Sequence, residues 1–435
     1  MSNLPPPGPR GVMGSTIAMA RRPYSSAQRW RDEYGRNFMI RVATGTYMVT
    51  GDPDVIRDVF RTEPAQLLPG GTASIGPLAG PRSLFVLDPQ EHLRERRLLA
   101  PPFQGNRMRA YAETIREATE YRIARFEPGE RRFMLDEARQ ISAEVIVRAV
   151  FGVRERARLD SYLKQISAWV DAWTPLFILV PAAQKRLWGL SPWARFVDHS
   201  DALDRMILQD ISARRESGAR GDDILSSLLD TKYEDGTSPS NDSLLSHLRT
   251  LLFAGHETTM IGIAWVLHYL LRDPERMERT QAVVERPLDE LLGDPWLDAV
   301  VLEALRIYPI ILGVVRNLAA DTALGPYTAP RGTNVWVSIA MLHSDPDLYP
   351  EPLAFRPERF LQQTPKPYIY APFGGGHRRC LGAAFAQFEM KIATATLLRR
   401  LRLEALGPAN PGTVRRNLSM APKGRVPVRV AEVLS

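Results

Sequence analysis

The chain has 435 residues, 44% of them hydrophobic, a single cysteine, and a formal net charge of +7 carried mostly by arginine. One cysteine excludes an internal disulfide framework and fits a reducing, cytoplasmic setting, and no run of about 18 apolar residues marks a transmembrane anchor. The opening MSNLPPPGPRG lacks the apolar stretch of a signal peptide, and no zinc-ligand spacing, basic tail or aromatic–basic interleaving accompanies the charge, so an acidic protein partner is expected and nucleic acid is not.

Length alone admits more than one domain, but no linker, repeat or low-complexity tract marks a boundary. Residues 1–23 are rich in proline and are expected to form an extended lead-in. FMIRVATGTYMVT (38–50) alternates and carries β-branched residues, which predicts a hairpin, and a helix follows from Asp54 to Phe60 after Pro53. Pro64 to Pro89 is loose and rich in Gly, Pro and small residues, the composition of a functional loop or lid. QEHLRERRLLAPPF then predicts a short helix with His92 and Arg96 on one face. Residues 107–126, 136–152, 156–173 and 191–215 read as amphipathic helices. Between the last two, TPLFILVPAAQKRLWGLSP is read as a lid in preference to a packed connector.

Residues 241–272 form the longest helical pattern, capped at Ser240 or Asn241. Its centre reads AGHETTM, where Gly255 costs about 1 kcal/mol against Ala, so a local distortion or a tolerated glycine with two back-bonded threonines is expected. Helix 294–308 carries Glu303 and Arg306 at i, i+3, a pairing that on a helix surface contributes under about 0.5 kcal/mol. The apolar IILGVVR predicts a strand ending at Arg316, FRPERF (355–360) follows, and the tail from 400 reads as short strands with a turn near Leu418–Ala421.

The densest signal is Phe373–Gly382, FGGGHRRCLG, followed by a strongly helical stretch. Three glycines permit unusual backbone angles and close approach to a flat cofactor, and a helix start with flanking arginines favours a thiolate at Cys380. Phe373, Gly374, Gly376, Arg378, Cys380 and Gly382 closely resemble the haem-binding signature of the cytochrome P-450 family. AGHET resembles that family's oxygen-binding groove, and Glu303–Arg306 with FRPERF resembles its lock, in the same chain order. The resemblance covers nearly the whole chain, from about residue 4, and implies one domain over 24–435. The implied fold is mainly α with small β-sheets, with haem b held between a long distal helix and the helix after the cysteine loop.

By that resemblance, Cys380 ligates the iron and His92, Arg96, Arg316 and Arg378 hold the haem propionates, with Phe373, Gly382 and Ala254 against the macrocycle. Thr258 and Glu257 form the acid–alcohol pair that delivers protons to bound O2. Glu303, Arg306 and Arg359 form a structural lock, while Leu251, Ala254, Leu312 and Val314 line the pocket. His256 faces away from the haem, and His343 has no direct role. The expected activity is hydroxylation of a lipophilic small molecule by a monomeric, bacterial-type monooxygenase. Electrons come from NAD(P)H through a reductase and a separate ferredoxin or flavodoxin that docks near Arg94, Arg97 and Arg379. A terpenoid or steroid is favoured because Arg82 is the only basic residue of the 64–89 loop, and a fatty acid needs a partner for its carboxylate. A fatty-acid or peroxide-dependent enzyme is the alternative, and a non-catalytic haem sensor or ligand carrier the remote one.

Overall fold

The computed structural model describes residues 3–68, 76–103, 107–174, 177, 183–186, 189, 191–362 and 364–434. In chain order the strands are β1 (Asn37–Val42), β2 (Gly45–Thr50), β3 (Arg131–Phe133), β4 (Gly313–Asn317), β5 (Thr322–Leu324), β6 (Tyr327–Ala329), β7 (Asn334–Ser338), β8 (Leu401–Ala405), β9 (Thr413–Arg416), β10 (Ser419–Pro422) and β11 (Pro427–Val433). The largest sheet has the order β1-β2-β7-β4, with β2 and β7 parallel and the outer pairs antiparallel. The rest of the sheet structure is two hairpins and the three-stranded β3-β11-β8. Among the described residues, the remaining regular elements are helical, apart from three isolated β-bridges.

The lead-in departs from its expected extended form. Pro6 and Gly8 do run along β1, exchanging backbone hydrogen bonds with Met39 of 2.9 and 2.8 Å. Residues Val12–Arg21 then coil into a helix, because proline density ends at Pro9 and VMGSTIAMAR is rich in helix formers. The predicted hairpin is present as β1–β2, and Pro53–Arg61 is a helix whose N-cap Asp52 accepts from the Asp54 N–H.

The core is a bundle whose centre is the distal helix Asn241–Leu270, with Met134–Phe151 laid along it and the cysteine helix Ala383–Arg400 on another side. The distal helix is long and apolar enough to cross a membrane by composition, yet 78% of its most apolar window is buried inside this fold. Its backbone runs helical through Gly255 without a break. The missing side chain makes room for a neighbour instead: a Cβ there would meet Ile146 Cδ1 at 2.8 Å. The back-bonded reading of Thr258 holds, its hydroxyl donating to Ala254 O at 2.7 Å.

The 64–89 segment is less loose than its composition. Residues 69–75 lie outside the described set, but Gly76–Ala79 is a helical turn fastened to the distal helix. Arg249 donates to Leu78 O (2.9 Å), Ser200 Oγ (2.7 Å) and Asp204 (3.1 Å), joining loop, distal helix and Pro192–Ser217. Of the predicted lid, 175–176, 178–182, 187–188 and 190 lie outside the described residues. Phe177 is buried among Trp173, Trp193 and Phe196, which is connector-like packing.

Candidate haem site and distal groove

The cysteine loop is shaped by its neighbours before any cofactor is considered. Gly374 and Gly376 both sit at φ 67°, in the left-handed region that glycine adopts most easily. Gly375 and Gly376 are pressed onto the end of the Pro53–Arg61 helix: a Cβ on Gly375 would strike the Phe60 ring at 2.1 Å, and one on Gly376 the Phe60 carbonyl at 2.4 Å. The last two glycines therefore serve protein packing first, not approach to a flat group. Cys380 N donates to Phe373 O at 2.9 Å, and the helix starts three residues later at Ala383. The thiol has exposed surface. Crowding by protein nevertheless pushes its pKa up, outweighing the Gly382 N–H, Arg379 and Arg96, which pull it down. The helix start and arginines alone do not make the thiolate expected from sequence. A coordinated metal does, since a ligating thiol loses its proton outright.

The lock is buried and bidentate. Arg306 donates from Nε and Nη2 to the two Glu303 oxygens at 2.7 and 2.9 Å, with neither side chain exposed. Arg359 Nε (3.3 Å) and the Arg356 N–H (2.9 Å) complete the shell on Glu303 Oε1. Arg306 also donates to His343 O at 2.9 Å, and His343 Nε2 accepts from the Ala371 N–H at 3.0 Å. Burial beside Arg306 lowers the His343 pKa to about 3, so the ring is a neutral acceptor. His343, expected to have no direct role, is the structural link from the lock to the start of the cysteine loop.

Cationic groups converge beside the loop without a matching carboxylate. Arg378 donates to Leu84 O (3.0 Å) and Leu87 O (2.8 Å), and Arg316 to Gly375 O (3.1 Å). His92 lies edge-on to His377 with ring centres 5.9 Å apart. No described carboxylate forms an ion pair with Arg96, Arg316 or Arg378; Asp88 acts on Arg378 only at longer range. Burial first, then Arg378, His377, Arg96 and Arg316, lowers His92 to about 3, and burial with Arg378 lowers Arg316 to about 10. His92 Nδ1 and His377 Nε2 are buried without hydrogen-bond partners. Such a set of orphaned donors around a cysteine fits a group that brings its own carboxylates, as haem does. His377 was missed in the sequence, although it lies inside the signature itself.

The buried distal helix shows a partly open stripe at Leu251, Ala254, Gly255 and Thr258, residues that share a face at helical spacing. Glu257 is on the adjoining flank, 3% exposed, with Asn417 Nδ2 3.4 Å from both oxygens and Arg416 Nε 3.7 Å from Oε1. Burial, opposed by those two and Arg139, raises its pKa to about 7. His256 is buried, with Arg139 and Arg416 the charges acting on it, and burial lowers it to about 3, so the ring is neutral. Val314 Cγ1 lies 3.4 Å from where a Gly374 Cβ would stand, on the same face of β4 as Arg316. Leu312 does not join it. It precedes β4 and packs with Met19, Trp30 and Trp336, because its carbonyl is held by Ala340 N and its side chain turns to the N-terminal helices.

Arg94 and Arg97, expected to await a partner, are exposed but already paired, to Asp235 at 2.9 Å and Glu234 at 2.7 Å. Arg379 forms no described ion pair and is exposed.

The cytochrome P450 family model matches residues 4–426. The chain belongs to the cytochrome P450 family. It is 34% identical to cytochrome P450 138 of Mycobacterium bovis over 98% of this chain and 96% of that one. It is 33% identical to cytochrome P450 135B1 of the same species over 98% and 91%. Among solved structures, the cyanobacterial CYP120A1 with bound retinoic acid superposes with TM-score 0.86 at 24% identity, covering 99% of this chain and 100% of that one. The cytochrome P450DA haem domain gives 0.87 at 21%, covering 99% and 98%. The mainly helical P450 fold is thus shared, and the protein is a P450 monooxygenase.

Proposed function

We propose that this P450 hydroxylates a neutral cyclic lipid, a terpenoid or steroid, at an unactivated C–H bond, using O2 and two electrons from a separate ferredoxin or flavodoxin fed by an NAD(P)H-dependent reductase. The observation that carries the substrate class is Arg82. It is the only basic residue of the 64–89 loop, its side chain is 43% exposed, and it leans to the buried Glu95 at 3.9 Å. Glu95 competes with a fatty-acid carboxylate for this guanidinium, whose buried Nε has no hydrogen-bond partner, and the open stripe of the distal helix offers Leu251, Ala254 and Gly255, with only the Thr258 hydroxyl polar.

Haem b, when bound, supplies the activation of O2, and a thiolate ligand pushes electron density to favour O–O cleavage, as the general haem chemistry of this family has it. Cys380 provides that ligand. Arg96, Arg316 and Arg378 would hold the carboxylates of the group as charges, and the neutral rings of His92 and His377 would join them as hydrogen-bond donors. Phe373, Gly382 and Ala254 would lie against its macrocycle. The Thr258 hydroxyl, donating to Ala254 O, keeps its lone pairs free to hold an ordered water in the groove. Glu257, with its carboxyl raised to about 7, is near half-protonated at neutral pH and can both give and take a proton there. The intact pair disfavours an enzyme that runs only on peroxide. The partner docks on the cysteine-loop face at Arg379, and a cytoplasmic setting fits the single thiol.

Titration of the ferric protein's Soret band with cyclic terpenoids and steroids, against long-chain fatty acids, tests the reading. A spin-state shift with the cyclic neutrals alone is expected. A shift with fatty acids that is lost in Arg82→Ala would replace the lipid class, and a protein without a haem-thiolate spectrum would end the proposal.

A further inference from the structure

Glu257 is held in an unusual way for a buried carboxyl. Its contacts come from one place, the tight turn between β9 and β10, where Arg416 pairs with Ser419 and Asn417–Leu418 form the two-residue connection. Asn417 sits at φ 46°, a left-handed conformation that asparagine adopts at low cost, and this aims its amide at both Glu257 oxygens. Arg416 Nε is buried, has no hydrogen-bond partner, and stops 3.7 Å short of Glu257 Oε1, while the side chain as a whole is 31% exposed. The other charged groups acting on the carboxyl have been placed elsewhere. Arg139, on the Met134–Phe151 helix, donates from Nη2 to Asp171 at 2.8 Å and acts on Glu257 as a charge, its buried Nε having no partner, and His256 on the distal helix is neutral. Of these charges only Arg416 stands within 4 Å of the carboxyl, so the turn joins a buried acid to solvent through its partly exposed guanidinium.

We propose that the β9–β10 turn is the proton inlet of the distal groove, with Asn417 and Arg416 as positioning residues that hold the Glu257 carboxylate until water at the turn reprotonates it. The inference rests on the monooxygenase reading and deepens it. Glu257 passes its proton toward Thr258 and is left as a carboxylate, which burial disfavours. The Asn417 amide and the Arg416 guanidinium stabilise that form long enough for a proton to arrive from solvent. The net transfer is one proton from water to the groove, with Glu257 returned to its starting state.

The test uses the haem-loaded protein and needs no turnover for its first arm. Infrared titration, with Glu257→Gln as reference, isolates the protonated Glu257 carbonyl. Asn417→Gly keeps the left-handed backbone and removes the amide, Arg416→Gln removes the charge, and Arg416→Lys keeps it. The wild-type midpoint is expected near about 7. The first two variants are expected to raise it by about one unit, the usual scale of losing a nearby donor or charge, and Arg416→Lys to leave it in place. In the second arm, with substrate and a surrogate ferredoxin system, the pH profile of product formed per NAD(P)H moves by the same amount, at unchanged KM. An unmoved midpoint in both variants, or a moved midpoint with an unmoved coupling profile, overturns the proposal. Loss of the haem-thiolate spectrum would sink the monooxygenase reading, whereas the infrared midpoint reports on the turn regardless.

Discussion

Two buried glutamates, Glu303 and Glu257, show how the same side chain is used for opposite ends. Glu303 is wrapped by two bonds from Arg306, one from Arg359 and one from the Arg356 N–H, all at 3.3 Å or less. Glu257 has only long contacts of 3.4 and 3.7 Å, and burial leaves its proton in balance near neutral pH. Charge that is fully matched fixes geometry; charge that is deliberately under-matched stays able to move a proton. The Arg96, Arg316 and Arg378 cluster extends the contrast, because no described carboxylate pairs with it and the match is the one proposed for haem.

The largest effect should come from breaking the matched pair. Arg306→Ala leaves the Glu303 carboxylate buried and releases His343 from the lock, so a loss of about 3–5 kcal/mol is expected. Thermal unfolding and retention of haem on gel filtration measure it, and near-native stability would erase the distinction between the two glutamates. A third buried acid sharpens the comparison. Both Glu389 oxygens lack a well-formed hydrogen bond, with Ser142 the polar group acting on them, and burial raises the carboxyl from its ordinary 4.5 to about 8. In the folded protein it holds its proton where the unfolded chain has released it. Its contribution to stability is therefore complete below about pH 4.5 and is lost as pH rises to about 8. Glu389→Gln should flatten that decline, because the amide has no proton to lose over this range. Denaturant unfolding across this range decides it, and an equally steep decline in the variant would place the titration elsewhere.

The smallest effect concerns the partner face. Arg94 and Arg97 spend their charge on Asp235 and Glu234, whereas Arg379 does not. Arg379→Glu should slow reduction by an acidic ferredoxin about tenfold at low salt, with Arg94→Glu within about twofold, and the difference should vanish as salt screens it. Stopped-flow reduction rates give the ranking, and equal slowing by both variants would mean that the surface pairs open on docking.

Local chemistry made much of this legible. FGGGHRRCLG, AGHET, the Glu303–Arg306 spacing and the main helices all announce themselves, since turns, caps and apolar periodicity act within a few residues of chain. What failed to show depended on distance. Leu312 looked like pocket lining because alternation cannot say which face of a strand is inward, and the N-terminal helices claimed it. Val12–Arg21 was hidden behind the prolines that precede it. His343 and Asn417 carry no local pattern; their roles arise from partners 28 and 160 residues away in sequence.

The sequence by itself determined the family and named the expected metal ligand, acid–alcohol pair and lock, because each is a short spacing of chemically specific residues. Only the tertiary structure decided that the lock is sealed, that the last two loop glycines answer to Phe60, that Arg82 is drawn toward Glu95, and that Glu257 faces a solvent-linked turn. Those outcomes follow from burial and from which remote groups are brought within about 3–4 Å, the range over which hydrogen bonds and close charges act, and neither is written in any one stretch of chain.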